Sequence, residues 1–289
     1  MTTFTGFSMT VSSGWPAPAK LNLMLHITGR REDGYHLLQT VFQLVDYSDA
    51  LSFEVTRSGE IHHQTPIAGV AVEDDLIIRA ARLLQQHSGC SRGAAISIQK
   101  HLPMGGGLGG GSSDAATTLV ALNHLWGVGL SVDGLAALGG QLGADVPVFV
   151  HGNTAWAEGV GDILQPIELP KPWFVVVKPP LEIATAKLFS DQELKRDCSA
   201  ITIADFIAGD RLNVFTAVVK KRYPAVAQMM ALLGEFGEVS LTGTGACLFL
   251  SFDTKRQAAD VARQIPQQLD CFVAQGVSRS PLYQRLDNA

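Results

Sequence analysis

Apolar and polar positions alternate between Ala17 and Ile27, with the period of two that is typical of a β-strand. One face of this segment carries leucines and an isoleucine, and the other face carries Lys20 and Asn22. The pattern predicts a half-buried strand on which Lys20 and Asn22 lie side by side on the less apolar face. Two further strands are predicted over 40–46 and 51–57.

Helical spacing of apolar residues predicts a helix over 75–87, with Gly89 as its stop. The run Ser112-Ser113-Asp114 has the composition of a helix N-cap and precedes helical spacing over 115–126. Further helices are predicted over 131–142, 202–208, 212–222, 225–233 and 255–264. Strands are predicted over 96–98, 173–177 and 271–274, together with a strand–turn–strand unit over 239–252.

Glycine and proline become frequent between Gly152 and Pro172, which indicates a domain boundary. Strands and helices are mixed on both sides of it, so the sequence predicts an α+β protein with domains over 1–160 and 161–289. The length of 289 residues fits two modest domains. Residues 1–14 are rich in Thr, Ser and Gly, and we interpret them as a loose extension.

The composition excludes several classes of protein. Apolar residues make up 46% of the chain, which is enough for a sizeable core and excludes overall disorder. The net charge of −5 argues against a nucleic-acid binder with a basic surface. No apolar run approaches the ~18 residues of a membrane helix, so no membrane partner is expected. The four cysteines are far apart, which argues against a zinc site and a redox pair and predicts buried thiols in a reducing cytoplasm.

The glycines are concentrated in one segment, where six of the 29 lie between positions 105 and 111. Glycine costs about 0.5–1 kcal/mol in regular structure, so this cluster needs a local reason. It lies before a predicted helix, where backbone N–H groups and the positive helix end can hold a phosphate. The predicted phosphate-binding residues are Pro103, Met104, Gly105, Gly106, Gly107, Leu108, Gly109, Gly110, Gly111, Ser112 and Ser113.

Other interpretations of this segment fit less well. A flexible linker is rarely framed by a strand and a periodic helix. Gly105, Gly107 and Gly110 satisfy the fingerprint G-x-G-x-x-G, which keeps a dinucleotide-dependent oxidoreductase as an alternative. No apolar strand ends in an acidic residue about 20 residues later, which argues against it. The sequence has no Gly-Lys pair and therefore no Walker loop, and it lacks the protein-kinase motifs H-R-D and D-F-G.

Segments 18–22, 103–116 and 241–246 resemble the three motifs of the GHMP kinases, a family named after galactose, homoserine, mevalonate and phosphomevalonate kinases. Segments 31–36 and 143–149 are similar to those of one member. That member uses ATP to phosphorylate the 2-hydroxyl of a cytidine-diphosphate-linked polyol in isoprenoid precursor synthesis. The resemblance implies the two-domain GHMP architecture, with the active site in the cleft between the domains.

The resemblance also implies how the reaction is carried out. ATP would be bound by the eleven residues of the glycine segment, with Mg²⁺ accompanying it. Ser112 and Ser113 would offer hydroxyls to the phosphate or to a bound metal. Asp145 would accept the hydroxyl proton, and Lys20 would orient the groups and offset negative charge. From the residues alone, Asp145 equally fits a cap of a helix near Pro147, and Lys20 equally fits a solvated edge strand.

Five residues would bind the substrate if the resemblance holds. Tyr35 would stack on the cytosine, and His36 would form a hydrogen bond with its polar edge. Asn22 would contact the polyol or its diphosphate. Thr185 and Phe189 match a segment that closes on the substrate in the family.

Two acidic residues depart from the family's pattern. Asp75 stands where relatives commonly have asparagine near the adenine. Asp114 stands where some relatives have asparagine, and it fits either the ordering of Mg²⁺ or a favourable charge at a helix N-terminus.

Two alternatives within the same superfamily stay open at this point. One is a kinase of another small alcohol such as homoserine or mevalonate, for which the pair Tyr35 and His36 has no use. The other is a non-catalytic sensor, which needs no proton acceptor such as Asp145. We expect a cytoplasmic monomer or weak dimer with a small-molecule partner and with neither a nucleic-acid nor a membrane partner.

Overall fold

The computed structural model describes residues 11–289. The strands of this part of the chain are β1 (Val11–Arg30), β2 (His36–Thr56), β3 (Ile61–His63), β4 (Gly93–Gln99), β5 (Ala155–Glu158), β6 (Ile163–Pro166), β7 (Trp173–Lys178), β8 (Ser240–Leu241), β9 (Leu248–Phe252) and β10 (Asp270–Val277). The helices are α1 (Leu76–Ser88), α2 (Gly110–Trp126), α3 (Val132–Gly140), α4 (Val146–His151), α5 (Thr185–Phe189), α6 (Ile203–Ala208), α7 (Phe215–Arg222), α8 (Pro224–Leu233), α9 (Lys255–Ala262) and α10 (Pro281–Asp287). The predicted α+β class is confirmed.

The sheet is built around β2, which pairs antiparallel with β1, β4, β5 and β10. Beyond β10 the sheet continues through β7 and β9 to β8. The prediction of separate strands over 40–46 and 51–57 is wrong, because both belong to β2. The polar residues between them stay paired, with Ser48 opposite Pro18 and Asp49 opposite Ala17 of β1. The buried polar residue Asp49 therefore interrupts the apolar pattern of the sequence, but β2 continues through it.

β1 contains the predicted strand over 17–27, but both of its faces are buried there, not one. The backbone N–H of Lys20 donates to the carbonyl of Leu108 at 3.0 Å, which joins the glycine segment to β1. A Cβ atom on Gly109 would lie 3.3 Å from Cε of Lys20, so the segment also packs against this side chain. This contact places the side chain of Lys20 beside the glycine segment.

The prediction of a loose N-terminal extension covers residues 1–14. Residues 11–14 are the start of β1, so the prediction of a loose extension is wrong for them. Residues 1–10 lie outside the described part of the chain.

Helix α1 agrees with its prediction. Asp75 is its N-cap and accepts a hydrogen bond from Ile77 N at 2.9 Å, and Gly89 ends it with a φ of 64°. Helix α2 begins earlier than predicted, with Gly109 as its N-cap. Residues 112–114 therefore lie within the helix, as its third to fifth residues, and their prediction as an N-cap is wrong.

The other predicted helices and strands are confirmed to within three residues at each end. The structure also contains short elements of at most seven residues that the sequence analysis did not list: β3, β5, β6, α4, α5 and α10. No helix within residues 11–289 is long and apolar enough to cross a membrane.

Apolar packing forms two clusters that lie mainly in opposite halves of the chain, and a third, formed by β1, β2, β7, β9 and β10, that spans both halves. Phe53 and Leu119 belong to a cluster formed by β2, β4, α1 and α2, and Val175 and Phe215 belong to another formed by β7, β9, α7 and α8. Helix α10 at the end of the chain packs against β1. The boundary at residue 160 stays a prediction.

Candidate active site

The glycine segment forms one wall of a cavity of about 510 Å³. The other walls include β1, the turn between β8 and β9, and the residue that precedes α4. Every predicted phosphate-binding residue lines this cavity except Ser113, which is fully buried. We call it the first cavity. The loop and the first turn of α2 thus border one cavity, and backbone N–H groups at a helix N-terminus suit an anion.

Two of the glycines are required by local geometry. Gly107 has a φ of 78°, and a Cβ atom there would lie 2.4 Å from the carbonyl oxygen of Thr242. Gly109 has a φ of 74°, and a Cβ atom there would lie 2.7 Å from the ring of Phe149. Left-handed backbone and lack of space together exclude a larger residue at both positions.

The turn between β8 and β9 holds the glycine segment from the other side. Cys247 N donates to the carbonyl of Gly106 at 3.1 Å, and Thr242 Oγ1 donates to the carbonyl of Gly107 at 3.4 Å. Gly243 also lines the first cavity. Both glycine-containing turns therefore border the same cavity.

Lys20 is buried, with 3% of its surface exposed, so the alternative of a solvated edge lysine is wrong. Its ammonium donates to Asn22 Oδ1 at 2.6 Å and lies 3.5 Å from Asp145 Oδ2. Asn22 Nδ2 donates to Thr40 Oγ1 at 2.8 Å, which turns the carboxamide oxygen toward the lysine. The ring of Phe42 lies below the ammonium, 5.4 Å from it to the centroid. Lys20 is thus fixed in position with its charge beside the first cavity.

Asp145 occupies the N-cap position of α4, but its carboxylate accepts no capping hydrogen bond from that helix. The side chain is 37% exposed and lines the first cavity, with Lys20 as its cationic neighbour. The alternative of a mere helix cap therefore does not account for this carboxylate.

A second cavity of about 900 Å³ lies next to the first. Its lining includes the predicted substrate-binding residues Tyr35, His36, Thr185 and Phe189. The two cavities share five lining residues: Leu38, Asp145, Val160, Thr185 and Phe189. The fold therefore brings four of the five predicted substrate-binding residues into one cavity and leaves Asn22 in the first, with Asp145 where the two meet.

The rings of His36 and Phe189 lie against each other, with centroids 5.1 Å apart. Arg196 Nε donates to His36 Nε2 at 3.2 Å. Burial, together with the charges of Arg196 and Arg30, lowers the pKa of His36 below its ordinary value. Tyr35 is 66% exposed at the rim, which leaves its ring accessible to a ligand.

In the wall of the first cavity, the ammonium of Lys100 lies between the buried carboxylates of Asp49 and Asp114. Its ammonium lies 2.5 Å from Asp49 Oδ2 and 2.8 Å from Asp114 Oδ2. Burial opposes the charge of Lys100, but Asp114 and Asp49 outweigh it and raise the pKa of the lysine. Burial, reinforced by Asp49 and partly offset by Lys100, raises the pKa of Asp114 to about 7. One ammonium thus neutralises only one of the two carboxylates fully.

Asp75, one of the two departures from the family pattern, lines the first cavity and also stabilises the fold. Besides capping α1, it lies 2.8 Å from Nδ1 of His63. Burial opposes the charge of Asp75, but the interaction with His63 and the backbone N–H groups of Ile77 and Ile78 outweigh it and lower the pKa of Asp75. A charged carboxylate in this position therefore has structural partners of its own.

The sequence interpretation missed Asp49, Lys100 and Arg196. Lys100 lies three residues before Pro103, where the glycine segment begins, and a lysine this close to a phosphate-binding loop was a usable signal. Asp49 and Arg196 belong to no motif. The backbone N–H of His101 that Asp49 accepts lies 52 residues away in sequence, and the His36 imidazole that Arg196 binds lies 160 residues away.

Comparison with known proteins agrees with this geometry. A family model for the N-terminal domain of GHMP kinases matches residues 75–153, and one for the C-terminal domain matches residues 195–271. A protein of Nitrosococcus oceani named 4-diphosphocytidyl-2-C-methyl-D-erythritol kinase is 55% identical over 273 residues, 94% of this chain and 98% of that protein. A protein of the same name from Methylococcus capsulatus is 54% identical over 273 residues, 94% of each chain.

Solved structures show the same relationship. The crystal structure of a 4-(cytidine 5'-diphospho)-2C-methyl-D-erythritol kinase superposes with a TM-score of 0.80 at 30% identity, covering 92% of this chain and 99% of that one. A mevalonate kinase shares the fold with a TM-score of 0.66 at 14% identity, covering 92% of this chain and 99% of that one. With its identity to full-length relatives and both family models matched, the chain belongs to the GHMP family of small-molecule kinases.

Proposed function

We propose that this kinase transfers the γ-phosphoryl group of ATP to the 2-hydroxyl of 4-diphosphocytidyl-2-C-methyl-D-erythritol. The names of its relatives point to this substrate. The observation that carries the proposal is the meeting of two cavities at Asp145, which has the ammonium of Lys20 3.5 Å away. The first cavity suits a nucleoside triphosphate. The second cavity has aromatic and histidine side chains that suit a pyrimidine.

The glycine segment and the first turn of α2 would hold the phosphates of ATP through backbone N–H groups. This arrangement needs no basic surface, in keeping with the net charge of −5. Mg²⁺ would enter as part of the ATP complex and neutralise charge on the transferring phosphates. Residues 11–289 contain no cluster of three or more His, Cys, Asp or Glu side chains that could hold a metal ion.

In the proposed reaction, the substrate hydroxyl oxygen forms a bond to the γ-phosphorus while the bond from that phosphorus to the β–γ bridging oxygen breaks. The hydroxyl proton passes to the carboxylate of Asp145, and ADP leaves with the electron pair of the broken bond. Lys20 would stabilise the negative charge that develops on the phosphoryl oxygens. Asn22 supports this role, since its carboxamide accepts a hydrogen bond from Lys20 at 2.6 Å.

The second cavity would receive the cytidine end of the substrate. Tyr35 and Phe189 would stack on the base, and His36 would form a hydrogen bond with its polar edge. Thr185 would lie near the reacting centre, because it lines both cavities and its hydroxyl lies 2.9 Å from that of Thr244.

The compartment and the oligomeric state belong to the same proposal. All four cysteines are free thiols, which suits a reducing cytoplasm. Cys198 and Cys247 are buried as predicted, whereas the prediction is wrong for Cys90 and Cys271, which are only partly buried. We infer that the protein works there as a monomer or weak dimer on a small-molecule substrate.

The experiment that tests the substrate is ADP release with ATP, Mg²⁺ and a panel of alcohols. The panel contains 4-diphosphocytidyl-2-C-methyl-D-erythritol, mevalonate and homoserine at equal concentrations. We expect the cytidine compound to give by far the highest kcat/KM. Equal or better turnover of mevalonate or homoserine would refute the substrate while leaving the kinase assignment in place.

A further inference from the structure

Arg196 lies in the wall of the second cavity, in the loop that follows α5. Its guanidinium makes four hydrogen bonds at once. Nε donates to His36 Nε2 at 3.2 Å, Nη2 donates to the carbonyls of Phe189 and Asp191 at 2.7 Å each, and Nη1 donates to the carbonyl of Leu194 at 3.0 Å. One side chain therefore holds His36 of the N-terminal half and the backbone of Phe189 of the C-terminal half.

The contact with Arg196 determines the protonation of His36. A guanidinium is always protonated in proteins and can only donate, so the nitrogen that faces it must carry a lone pair. Nε2 of His36 is thus the acceptor, and a neutral imidazole then carries its proton on Nδ1. The lowered pKa of His36 agrees with a neutral ring. Within residues 11–289 the His36 side chain has its hydrogen bond at Nε2, and His36 lines the second cavity, so the N–H at Nδ1 is available to a ligand there.

We propose that Arg196 is a positioning residue that fixes the Nδ1–H tautomer of His36 beside Phe189 and thereby makes the second cavity select cytosine over uracil. This inference rests on the proposed function, since it concerns the base of the proposed substrate. The two bases differ at ring position 3, where cytosine presents a lone pair and uracil presents an N–H donor. A fixed N–H donor on His36 forms a hydrogen bond with cytosine there and opposes the N–H of uracil.

Arg222 offers a matched control for the same loop. Its guanidinium binds the carboxylates of Asp191 at 2.8 Å and Glu193 at 2.9 Å, so it also anchors the loop that contains Arg196. Arg222 is an exposed residue, and its hydrogen bonds go to these two carboxylates rather than to the imidazole of His36. Arg222→Met therefore loosens the loop without removing the donor to His36.

The activity experiment compares kcat/KM for the cytidine substrate with that for its uridine analogue. In Arg196→Met we expect the cytidine-to-uridine ratio to fall about tenfold, the effect of one hydrogen bond, mainly through KM. Arg222→Met should keep the wild-type ratio even if its absolute activity changes. A wild-type ratio in Arg196→Met would overturn the inference, whatever the loss in total activity.

A second measurement does not depend on activity. Long-range ¹H–¹⁵N NMR of histidine-labelled protein reports which imidazole nitrogen is protonated, and His36→Gln assigns the signal. We expect His36 as the Nδ1–H tautomer in the wild type and in Arg222→Met, and a shift toward Nε2–H in Arg196→Met. An Nε2–H or doubly protonated His36 in the wild type overturns the inference. This holds even if the cytidine compound is not turned over, which would refute the proposed function alone.

Arg196→Lys covers the case in which Arg196→Met does not fold. A lysine keeps one positive donor but cannot reach three carbonyls and an imidazole from one point. We expect it to retain the Nδ1–H tautomer while raising KM, since Phe189 is held less firmly. If Arg196→Lys lost the Nδ1–H tautomer of His36 but kept the wild-type preference for cytidine over uridine, the tautomer would not determine the base preference and the inference would be overturned.

Discussion

The ammonium of Lys20 lies 3.5 Å from the carboxylate of Asp145, although the two residues are 125 positions apart and only Lys20 is buried. Asn22 holds the ammonium at 2.6 Å, while no capping hydrogen bond of α4 holds the carboxylate. The cation is therefore fixed and the carboxylate is free to meet a ligand. This arrangement suits Asp145 as a proton acceptor and Lys20 as the group that stabilises negative charge.

The first prediction concerns Asp145. Asp145→Asn keeps the shape of the side chain but removes its ability to accept a proton. We expect kcat to fall by about 10²–10⁴-fold, the usual contribution of a general base, while the Kd for ATP stays within about twofold. Steady-state ADP release and calorimetric titration with ATP measure the two quantities.

Asp133→Asn is the matched control, because the Asp133 side chain is 92% exposed on α3. It should behave as the wild type in both measurements. Near-normal kcat in Asp145→Asn would remove Asp145 from the mechanism and leave it as a residue at the start of α4.

The second prediction separates the two reasons for glycine at position 109. Gly127, at the end of α2, has a φ of 68°, and a Cβ atom there would have no neighbour within 4 Å, so Gly127→Ala tests backbone strain alone. We expect it to lower the free energy of unfolding by about 1 kcal/mol. Gly109→Ala adds the clash with Phe149 and should cost about 1–3 kcal/mol more.

Urea denaturation measures both variants, and the KM for ATP is recorded beside it. Gly109→Ala should also raise that KM, since the displaced backbone no longer fits the phosphates. Equal stability of the two variants would show that the packing of Phe149 does not limit position 109.

The third prediction concerns Tyr35, which is 66% exposed. Tyr35→Ala should change the free energy of unfolding by less than about 0.5 kcal/mol, because little packing is lost. It should raise KM for the cytidine substrate about tenfold through the lost stacking on the base, and leave KM for ATP unchanged. If both KM values rose equally, Tyr35 would belong to the nucleotide site instead.

Much of the candidate site could be predicted because its residues lie in short contiguous motifs. The glycine segment indicates a phosphate-binding loop by composition alone, and the resemblance added Lys20 and Asp145. Helix α1 was predicted correctly because Asp75 and Gly89 mark its ends in the sequence.

Other features depend on contacts that no local pattern contains. Asp49 looks like a break in β2, yet it is buried because Lys100 and two backbone N–H groups satisfy its carboxylate. Arg196 lies 160 residues from His36, so their contact exists only in the folded chain. Tertiary hydrogen bonds thus overrode the local polarity on which the sequence prediction relied.

The last prediction follows from Asp114. Its pKa is raised to about 7 in the folded protein by burial, against an ordinary value of 3.8. Between these two pH values the folded state holds a proton that the unfolded state has lost. The free energy of unfolding therefore falls as pH rises from about 4 to about 7, and it no longer changes through this group above that range.

Asp114→Asn removes this titration while leaving Lys100 its ion pair with Asp49. We expect the free energy of unfolding of the variant to decline less than that of the wild type between about pH 5 and pH 7.5, so the variant gains relative stability at the higher pH. Urea denaturation of both proteins at the two pH values measures the difference, and histidines that titrate in both cancel from it. Equal declines would mean that Asp114 is already ionised at pH 5, with Lys100 stabilising both carboxylates together.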